Sequence, residues 1–498
     1  MNAEKLINGT PAEQARAVQV AIESYSRSKD LTKAQEGVSY YNYEHDILNN
    51  RILYFNDDGE LVEDTTASNI RIPHPFFTEQ VDQKVHYLLG NPVQFNTEDE
   101  NLREELKDYY NAQFQVVLRD ALEGASIKGC EYVFQRTTAD DRVTFQISDS
   151  MQTFPVLDEN GETVAILRHY NKEVANAQGD NEWVTIAELW DREQVTFFKT
   201  DRGGVYHLDQ SREMNPRPHV IGQMDDKLLG RAYGYIPFFK LANNKRETTD
   251  LQPIKDLIDD YDLMAAFLSN NLQDFAEAIY VVKGYPGQSL TELRKNLKNR
   301  KAVGVGPDGG VDVKTVTIPV EGRKLKLEID RENIYKFGMA FDSAQVGDGN
   351  ITNIVIKSRY SLLDLKANKA ESRLRELLEW INNLVIADIN RRKGSSYTPD
   401  QVEIVIDREM IINESDTATI EQARATARQV EMETLLAAAA RLDDETILRA
   451  ICDLLELDYI EVEERLNEEE FTPLFNTAST PPNEGGAVDD QGATEPLE

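Results

Sequence analysis

Apolar residues recur at helical spacing in several long segments of the chain. The segment from Pro75 to Leu122 predicts two helices, because its apolar residues lie three or four positions apart and Gly90-Asn91-Pro92 interrupts them. A third helix is predicted to begin near Asp250, which can cap it, with Pro253 in the first turn, where a missing N–H costs little. Its apolar stripe continues to residue 279 and corresponds to a length of about 40 Å.

Two more helices are predicted farther along the chain. Residues 321–341 favour a helix, although Leu325, Leu327 and Ile329 also fit the alternation of a strand. From residue 353 to residue 392 the helical stripe continues for about 57 Å, which is more than a compact domain requires.

The period changes to two between Cys130 and Leu208, where β-branched and aromatic residues are frequent. Asn160-Gly161 and Gly203-Gly204 supply the positive φ angles that tight hairpins need. The pattern predicts an antiparallel β region beside the helices. Residues 402–406 alternate as one further strand that could return to this region.

The remaining segments are shorter or more polar. The first 35 residues predict a polar helix or arm, residues 415–468 predict acidic helix, and residues 472–498, rich in Pro, Gly and Asp, are expected to be disordered. A short α+β insert is predicted between the third and fourth helices, with a strand at 279–282, a helix at 289–297 and a strand at 311–318. The fold class that results is α+β and helix-rich.

Composition limits the possible functions. The formal net charge of -34 over 498 residues argues against a protein that binds nucleic acid over its whole surface, because phosphate binding depends on Lys and Arg. Cys130 and Cys452 are the two cysteines, so the sequence implies no disulfide framework and favours two core residues in a reducing compartment. No uninterrupted apolar stretch reaches about 18 residues, and the N-terminus lacks the apolar centre of a signal peptide, so we expect a soluble cytoplasmic chain.

Candidate chemistry is sparse. The histidines lack metal-site spacing and Cys partners, which favours structural roles; they are His45, His74, His86, His169, His207 and His219. Residues 304–310 are glycine-rich but lack the Gly-Lys-Ser/Thr of a phosphate-binding loop, so a loop between strands is the better interpretation. Adjacent acids such as Asp259-Asp260 fit solvated helix faces. We predict no catalytic residue, no metal ligand and no cofactor.

One local reversal of charge interrupts the acidic chain. Cations concentrate in the predicted insert; they are Lys283, Arg294, Lys295, Lys298, Arg300 and Lys301. One interpretation is a solvated basic face or ion pairing with acidic neighbours. The other is a docking surface for an acidic partner, or for DNA at the narrow end of a channel.

Several sequence blocks occur in an order that resembles a known family. The blocks are residues 69–77 (NIRIPHPFF), 87–93 (YLLGNPV), 235–239 (YIPFF) with 243–245 (NNK), 330–338 (DRENIYKFG) and 360–366 (YSLLDLK). In this order, and with the element layout above, the chain is similar to the portal proteins of long-tailed phages of Gram-positive hosts. The resemblance covers about residues 40–407.

The resemblance implies a portal fold with named regions: an N-terminal arm at 1–29, a wing of helices and antiparallel β at 30–249, a stem helix at 250–278, a clip at 279–320, a second stem helix at 321–341, a tunnel loop at 342–353, a long wing helix at 354–394, a wing return strand at 395–412, a helical crown at 413–470 and a disordered acidic tail at 471–498.

It also implies a function and partners. Such proteins are non-enzymatic and form a dodecameric ring at one capsid vertex, through which double-stranded DNA is packaged and ejected without sequence specificity. The expected partners are further copies of the chain, the terminase large subunit on the clip, head-completion or adaptor proteins, and scaffolding and major capsid proteins, with no membrane. The expected location is the portal vertex of the virion, after assembly in the host cytoplasm.

The charge of the chain fits a channel that must not hold DNA. The duplex carries a phosphate about every 1.7 Å, so strong contacts would have to break at every step. Four cations on the second stem helix are channel candidates if they face the lumen, and pairing with Asp259 and Asp260 of a neighbouring subunit is the alternative; they are Lys324, Lys326, Arg331 and Lys336. The candidate tunnel-loop residues are Asp342, Ser343, Gln345, Gly347, Asp348, Gly349 and Asn350.

Two other classes of function fit the sequence. One is a non-portal structural adaptor or scaffold of the phage head, which would share the acidic charge but form no DNA-sized channel. The other is a metal-dependent nuclease built on scattered carboxylates.

Overall fold

The fold was obtained as a computed structural model. The structure describes residues 3–55, 59–64, 67–175, 181–201, 203–224, 227–274, 279–284, 305–314, 320–342, 353–408, 414–438, 441–455, 459–460 and 462. The chain divides into two compact units, Met1–Ile411 and Ile412–Glu498. Both helices and strands build the first unit, which confirms the predicted α+β class.

The described helices are α1 Ala3–Asn8, α2 Pro11–Ser26, α3 Lys29–Tyr41, α4 Phe76–Leu89, α5 Glu100–Tyr109, α6 Ala112–Lys128, α7 Lys255–Asp274, α8 Val320–Gly338, α9 Asn353–Lys393, α10 Glu414–Ala438 and α11 Asp444–Leu455. The described strands are β1 Leu53–Phe55, β2 Leu61–Glu63, β3 Gln94–Asn96, β4 Cys130–Thr137, β5 Val143–Ser148, β6 Thr153–Leu157, β7 Thr163–Ala175, β8 Asn181–Trp190, β9 Gln194–Thr200, β10 Tyr206–Leu208, β11 Arg217–Pro218, β12 Val220–Met224, β13 Lys227–Arg231, β14 Phe238–Ala242, β15 Ile279–Lys283, β16 Gly310–Lys314 and β17 Glu403–Val405. Within the described ranges, no helix is long and apolar enough to cross a membrane.

The N-terminal segment, predicted as a polar helix or arm, folds into helices that pack on the sheet. Thr10 and Glu13 form a reciprocal capping box at the start of α2, and the Ser28 hydroxyl accepts the Leu31 N–H at the start of α3. Leu6 and Val18 join a core cluster with residues of β6 to β10. The first helices therefore cover one face of the β region.

The helical stretch 75–122 contains three helices, α4, α5 and α6, where the sequence predicted two. The side chain of Asn111 accepts the backbone N–H of Phe114 at 3.1 Å and caps α6, so the chain ends α5 and begins a new helix at this point. Gly129, with a φ of 92°, ends α6 in the left-handed conformation that glycine tolerates best.

The region from Cys130 to Leu208 is antiparallel, as predicted. One sheet has the order β10-β9-β8-β7-β6 with β11 also paired to β9, and a three-stranded sheet has the order β14-β4-β5. Gly161 and Gly204 have φ angles of 82° and 78°, which confirms the two predicted turns. These two sheets hold a second apolar cluster that includes Phe134, Trp190 and Phe197.

The predicted strand at residues 402–406 is present as β17. The sequence analysis allowed it to return to the β region that follows Cys130, but β17 pairs with β3, matching Ile404 to Phe95. Because β3 lies between α4 and α5, the strand pair extends the helical part of the unit.

The helix α7 begins five residues later than the sequence predicted. Asp250 does not cap it, because its carboxylate binds Lys84 and Asn243, and residues 251–254 form a turn before Lys255.

The segment 320–338 is the helix α8, which excludes the strand alternation of Leu325, Leu327 and Ile329. Of the predicted insert, β15 and β16 form an antiparallel pair, and the predicted helix at 289–297 lies outside the described residues.

The long helix α9 lies in the main core and confirms the predicted helix from residue 353 to residue 392. Its apolar stripe packs with α4, α5 and α6 and with strands of the small sheet; the buried members include Leu363, Ala367, Ala370, Leu374, Leu377, Leu378, Ile381 and Val385. The great length of α9 therefore allows its apolar stripe to be buried against the other helices along many turns.

The second unit contains α10 and α11. The sequence predicted helix throughout residues 415–468, but residues 441–443 are not α-helical, and the Asp443 side chain accepts the Thr446 N–H at 3.0 Å to start a new helix. Cys452 is buried, in agreement with its predicted role as a core residue.

Candidate functional site

The helices α7 and α8 pack against each other, and Lys326 joins them through carboxylates. Its Nζ lies 2.5 Å from Asp260 Oδ2 on α7 and also contacts Asp330, one turn farther along α8. Hydrogen bonds to Asp260 and Asp330 raise the pKa of Lys326. Asp330 is buried, so Lys326 compensates a carboxylate that has left water.

Arg331 holds the residue at which the predicted tunnel loop begins. Its Nη2 and Nε lie 2.9 Å and 3.2 Å from the two carboxylate oxygens of Asp342. This two-pronged contact is the geometry that a guanidinium favours, and it raises the pKa of Arg331. Asp342 is therefore fixed to α8.

The other two predicted channel cations lie at the surface. Lys324 Nζ is 3.9 Å from Glu328, and both side chains are exposed. Lys336 is exposed and lies seven residues after Ile329 and eleven after Leu325, which places all three on one face of the helix. Leu325 and Ile329 are 58% and 45% exposed, so this face of α8 is apolar and uncovered in a single copy.

The sequence left two interpretations for these cations, a lumen position or pairing with Asp259 and Asp260 of a neighbouring subunit. Lys326 binds Asp260 of its own chain. Asp259 binds Lys255 at 2.9 Å, again within the chain. Asp259 and Asp260 therefore pair with lysines of their own chain, which is neither of the two arrangements predicted from the sequence.

Asp262 is a buried carboxylate that ties α7 to the preceding chain. Its Oδ2 lies 2.7 Å from His45 Nδ1, and its Oδ1 lies 2.7 Å from His74 Nδ1 and accepts the His74 backbone N–H at 3.0 Å. Both oxygens of a carboxylate with no exposed surface are thus satisfied. These contacts agree with the structural interpretation of the two histidines.

A second polar contact joins α3 and the turn after it to α7. Lys255 Nζ lies 2.6 Å from Asp46 Oδ2 and 2.9 Å from Asp259 Oδ2, and the Tyr40 hydroxyl donates to Asp259. The hydrogen bond from Lys255 lowers the pKa of Asp46. Burial raises the pKa of Tyr40, and its hydrogen bond to Asp259 raises it further, so the phenol stays protonated.

A network of largely buried charges forms what we call the ammonium junction, which comprises Lys84, Asn243, Asp250 and Lys366. Lys84 Nζ donates to Asn243 Oδ1 at 2.6 Å, to Ser126 Oγ at 2.9 Å and to Asp250 Oδ2 at 3.0 Å. All three donor positions of this ammonium group are therefore used. Burial lowers the pKa of Lys84, and Asp250 opposes that effect.

Lys366 brings the long helix α9 into the ammonium junction. Its Nζ lies 3.2 Å from Asp250 Oδ2 and donates to the Gly338 carbonyl at 3.0 Å, at the last residue of α8. Burial alone would raise the pKa of Asp250, but the ammonium groups of Lys366 and Lys84 outweigh it and hold that pKa well below its ordinary value. One carboxylate thus joins α4, α9 and the start of α7.

The end of α8 lies unusually close to α4. A Cβ atom at Gly338 would lie 1.8 Å from Gln80 Oε1, so only glycine fits there without displacement. One turn later, the Gln83 side chain accepts the Phe341 N–H at 3.1 Å and donates to the Phe341 carbonyl at 2.8 Å. Residues 338–342 are consequently held by α4, α8 and α9 together.

The sequence blocks that carried the resemblance converge at this place. Asn243, Gly338 and Lys366 come from three different blocks and meet at the ammonium junction. His74 comes from a fourth block and binds Asp262 on α7. Three of the blocks therefore contribute to the ammonium junction, and a fourth contributes a contact to α7.

A comparison with protein families decides what kind of protein carries this arrangement. Residues 22–470 match the family described as "Phage portal protein, SPP1 Gp6-like". The chain belongs to this family. It is a structural protein of phage particles and not an enzyme, and the resemblance inferred from the sequence blocks is confirmed.

Individual relatives agree with the family assignment. The chain is 31% identical over 389 residues to the portal protein of Bacillus phage SPP1, covering 76% of this chain and 75% of the relative. It is 26% identical over 372 residues to the portal protein of Clostridium phage phiCD119, covering 70% of this chain and 78% of the relative.

Two solved structures are similar at lower identity. A chain from the neck of a native GTA particle, computed with C12 symmetry, is 16% identical with a TM-score of 0.33, covering 77% of this chain and 90% of that chain. A chain from the neck of an empty GTA particle, computed with C6 symmetry, is 15% identical with a TM-score of 0.35, covering 78% and 91%.

Two of the predicted portal sites lie largely outside the described residues. Of the candidate tunnel-loop residues only Asp342 is described, and those from Ser343 to Asn350 are not. Of the candidate cations of the insert only Lys283 is described; its Nζ is 3.6 Å from Asp312 on the neighbouring strand, and both side chains are exposed. The other five cations of the insert are not described.

The buried carboxylates described above are paired with lysine ammonium groups or with histidines. Asp250 binds two lysines, Asp330 binds Lys326, and Asp262 binds two histidines. Across the residues that the structure describes, no group of His, Cys, Asp and Glu has the arrangement of a metal site. The buried charges therefore serve to position helices.

Proposed function

We propose that many identical copies of this portal protein close into a ring at one capsid vertex, and that double-stranded DNA enters and leaves through the ring. The observation that carries the proposal is the uncovered apolar surface of α7 and α8. Phe267, Leu325, Ile329 and Phe337 are 41%, 58%, 45% and 50% exposed. Two packed helices that leave such residues in water need a further surface to cover them.

Identical copies provide that surface when the contact is heterologous. One face of a subunit then packs on a different face of the next, and repetition closes a ring if the rotation between subunits allows it. Exposed residues on both helices of the pair suit this arrangement, because each helix can contact a different neighbour.

The charge of the helices supports passage of DNA without adhesion. Glu321, Glu328 and Glu332 are exposed on α8, and Asp256 is exposed on α7. Lys326 and Arg331 are neutralised by Asp260, Asp330 and Asp342, so they offer little attraction to phosphate. Repulsion between carboxylates and phosphates extends only about 8 Å at physiological salt, which keeps a wall slippery without closing the channel.

On this proposal, each region of the portal fold corresponds to a segment of the chain. The stem comprises α7 and α8, the clip lies at 279–320, the tunnel loop at 342–353 lines the narrowest point, the wing comprises 30–249 with 354–412, and the crown comprises 413–470. The fixed position of Asp342 beside Arg331 supports a loop that starts from a rigid base. A dodecamer is the expected subunit number.

The clip is the proposed docking site for the terminase large subunit during packaging and for head-completion proteins afterwards. Its cations, Lys283 among them, suit acidic partner surfaces. Scaffolding and major capsid proteins are the proposed partners at the vertex, and assembly takes place in the host cytoplasm.

Electron microscopy and native mass spectrometry of the purified chain test the ring. We expect rings with a central hole wide enough for a duplex. Replacing Leu325 with Asn should lower the fraction of rings, because a polar side chain then enters the contact between copies. The matched control is Lys324→Asn, which makes the same residue one position earlier, away from the apolar face.

A chain that stays monomeric under all conditions would refute the proposal. Equal ring fractions for Leu325→Asn, Lys324→Asn and the unchanged chain would refute the role of this face, while leaving ring formation by other surfaces intact.

A further inference from the structure

The β region contains a cavity of about 630 Å³ that the portal function does not use. It lies where the sheet β14-β4-β5 meets the sheet of β6 to β10 and the segment β11–β12. Its size is within the range of sites that bind small molecules in proteins. Its charged lining residues are Arg136, Arg168, Arg217 and Glu188. Three cations and one carboxylate make it a positive site in a chain of net charge -34.

The one carboxylate of the cavity has hydrogen-bond partners other than Arg217. Glu188 is buried and accepts hydrogen bonds from the Tyr170 hydroxyl at 2.8 Å and from Trp190 Nε1 at 2.9 Å. Arg168 Nη1 lies 3.6 Å from it and balances its charge. Each oxygen of Glu188 therefore already accepts a hydrogen bond from a neighbouring side chain.

Arg217 lies near Glu188 but forms no ion pair with it. In the described part of the chain Arg217 makes no ion pair, and its buried Nε has no hydrogen-bond acceptor. Its guanidinium lies 5.2 Å from the centre of the Phe197 ring. Burial lowers the pKa of Arg217, the nearby cation of Arg212 lowers it further and the charge of Glu188 opposes both effects, but arginine stays charged at neutral pH. A partly buried cation that is compensated only at longer range is stabilised when an anion joins it.

The backbone holds Arg217 in place beside the cavity. Arg217 and Pro218 pair with Val195 and Gln194 of β9. Two residues earlier, the Asn215 side chain accepts the Phe197 N–H at 2.9 Å and donates to the Phe197 carbonyl at 2.7 Å. The backbone that carries the Arg217 side chain is therefore held in place without a ligand, which reduces the entropy that binding would cost.

We infer that this cavity is an oxyanion-binding site, in which the guanidinium of Arg217 holds a carboxylate or phosphate group. Arginine presents parallel N–H donors that match the two oxygens of such a group. Two observations point to an acceptor of this class: the excess positive charge of the lining, and a buried Arg217 Nε that no described residue satisfies. The oxyanion comes either from a free anion in solution or from an acidic side chain of a second copy of the chain.

The first arm of the test uses inorganic phosphate. The full chain, purified without phosphate, is titrated with phosphate at constant ionic strength in a calorimeter. We expect saturable binding that weakens at least tenfold in Arg217→Gln and persists in Arg16→Gln, which removes the same charge from an exposed position on α2. Arg217→Lys keeps the charge but not the two parallel N–H donors, so its affinity for phosphate should lie between those of Arg217→Gln and Arg16→Gln. It also serves as the second variant if Arg217→Gln fails to fold, as judged by circular dichroism.

The second arm measures assembly by native mass spectrometry. If phosphate does not bind but Arg217→Gln and Arg217→Lys lower the ring fraction relative to Arg16→Gln, the oxyanion is a carboxylate of a neighbouring copy. The inference is overturned if phosphate binding is absent or equal in all variants and the ring fraction is also unchanged. The phosphate arm does not require assembly, so failure of the ring proposal leaves it interpretable.

Discussion

Lys366 Nζ lies 3.2 Å from the carboxylate of Asp250, and this contact joins the long helix α9 to the segment directly before α7. Lys84 reaches the same oxygen from α4. Two ammonium groups thus share one carboxylate in a buried site, and they also donate to Asn243, Ser126 and the Gly338 carbonyl. Removing one member of such a network leaves the others with an unsatisfied group in a low-dielectric site, which is costly.

Replacing Asp250 with Asn should destabilise the protein by about 3–5 kcal/mol, because two buried ammonium groups lose their counterion. Denaturant unfolding followed by circular dichroism measures the change. The matched control is Asp256→Asn on the exposed side of α7, for which we expect a change within about 0.5 kcal/mol. Similar effects of the two substitutions would contradict the importance of the ammonium junction.

The same carboxylate predicts a dependence of stability on pH. The pKa of Asp250 in the folded protein lies below its ordinary value of 3.8. Its contribution is therefore complete above 3.8 and is lost as the pH falls through the lower folded value. The difference in unfolding free energy between the unchanged protein and Asp250→Asn should stay constant near neutral pH and narrow below about pH 4. If the difference in unfolding free energy widens on acidification, the pKa of Asp250 is raised and not lowered in the folded protein.

Gly338→Ala should destabilise the end of α8, because the new Cβ atom would overlap Gln80 Oε1. We expect a loss of about 1–3 kcal/mol, the usual cost of overpacking. Combining it with Gln80→Ala removes the overlap, so the double variant should lose less than the sum of the two single changes. Gly322→Ala on the same helix meets no atom within 4 Å and should be neutral or slightly stabilising. Strict additivity would disprove the close contact.

Lys326→Gln should weaken the contact between α7 and α8. It leaves the buried carboxylate of Asp330 without its cation, which costs about 1–3 kcal/mol. Lys324→Gln, two residues earlier and exposed beside Glu328, should change the unfolding free energy by less than about 0.5 kcal/mol. Thermal unfolding of both variants measures the difference, and an equal effect of the two would argue against a link between the helices.

Deleting Gln345 to Asn350 should impair packaging or retention of DNA and leave ring assembly unchanged. The proposed reason is that this loop lines the narrowest point of the channel, while the described contacts of Arg331 and Gln83 hold its base. DNA content of particles and electron microscopy of rings are the two measurements. A replacement of equal length by Gly and Ser distinguishes loss of length from loss of side chains. Normal packaging by the deletion variant would remove the hypothesis.

Periodicity alone predicted the long helices correctly. The apolar stripe of α9 from Leu363 to Val385 is buried as expected, since a stripe of this width has to face a core. The two glycine turns at Gly161 and Gly204 also followed from local chemistry. These features depend on residues close together in the sequence.

Features that depend on distant partners were missed or mistaken. Asp250 was expected to cap α7, but a charged partner from α4 and another from α9 take its carboxylate. Lys84 and Lys366 interrupt apolar stripes at buried positions, and a lysine at a core position requires a buried acceptor. That signal was present in the sequence, but it does not identify which of the many acids supplies the carboxylate.

The anchoring of Lys366 limits how far α9 can slide along its own axis relative to α8. Successive residues of an α-helix are about 1.5 Å apart along the axis, so a slide by even one residue would pull this ammonium group away from both the carboxylate and the Gly338 carbonyl. A displacement of α9 that keeps both contacts therefore moves the end of α8 with it.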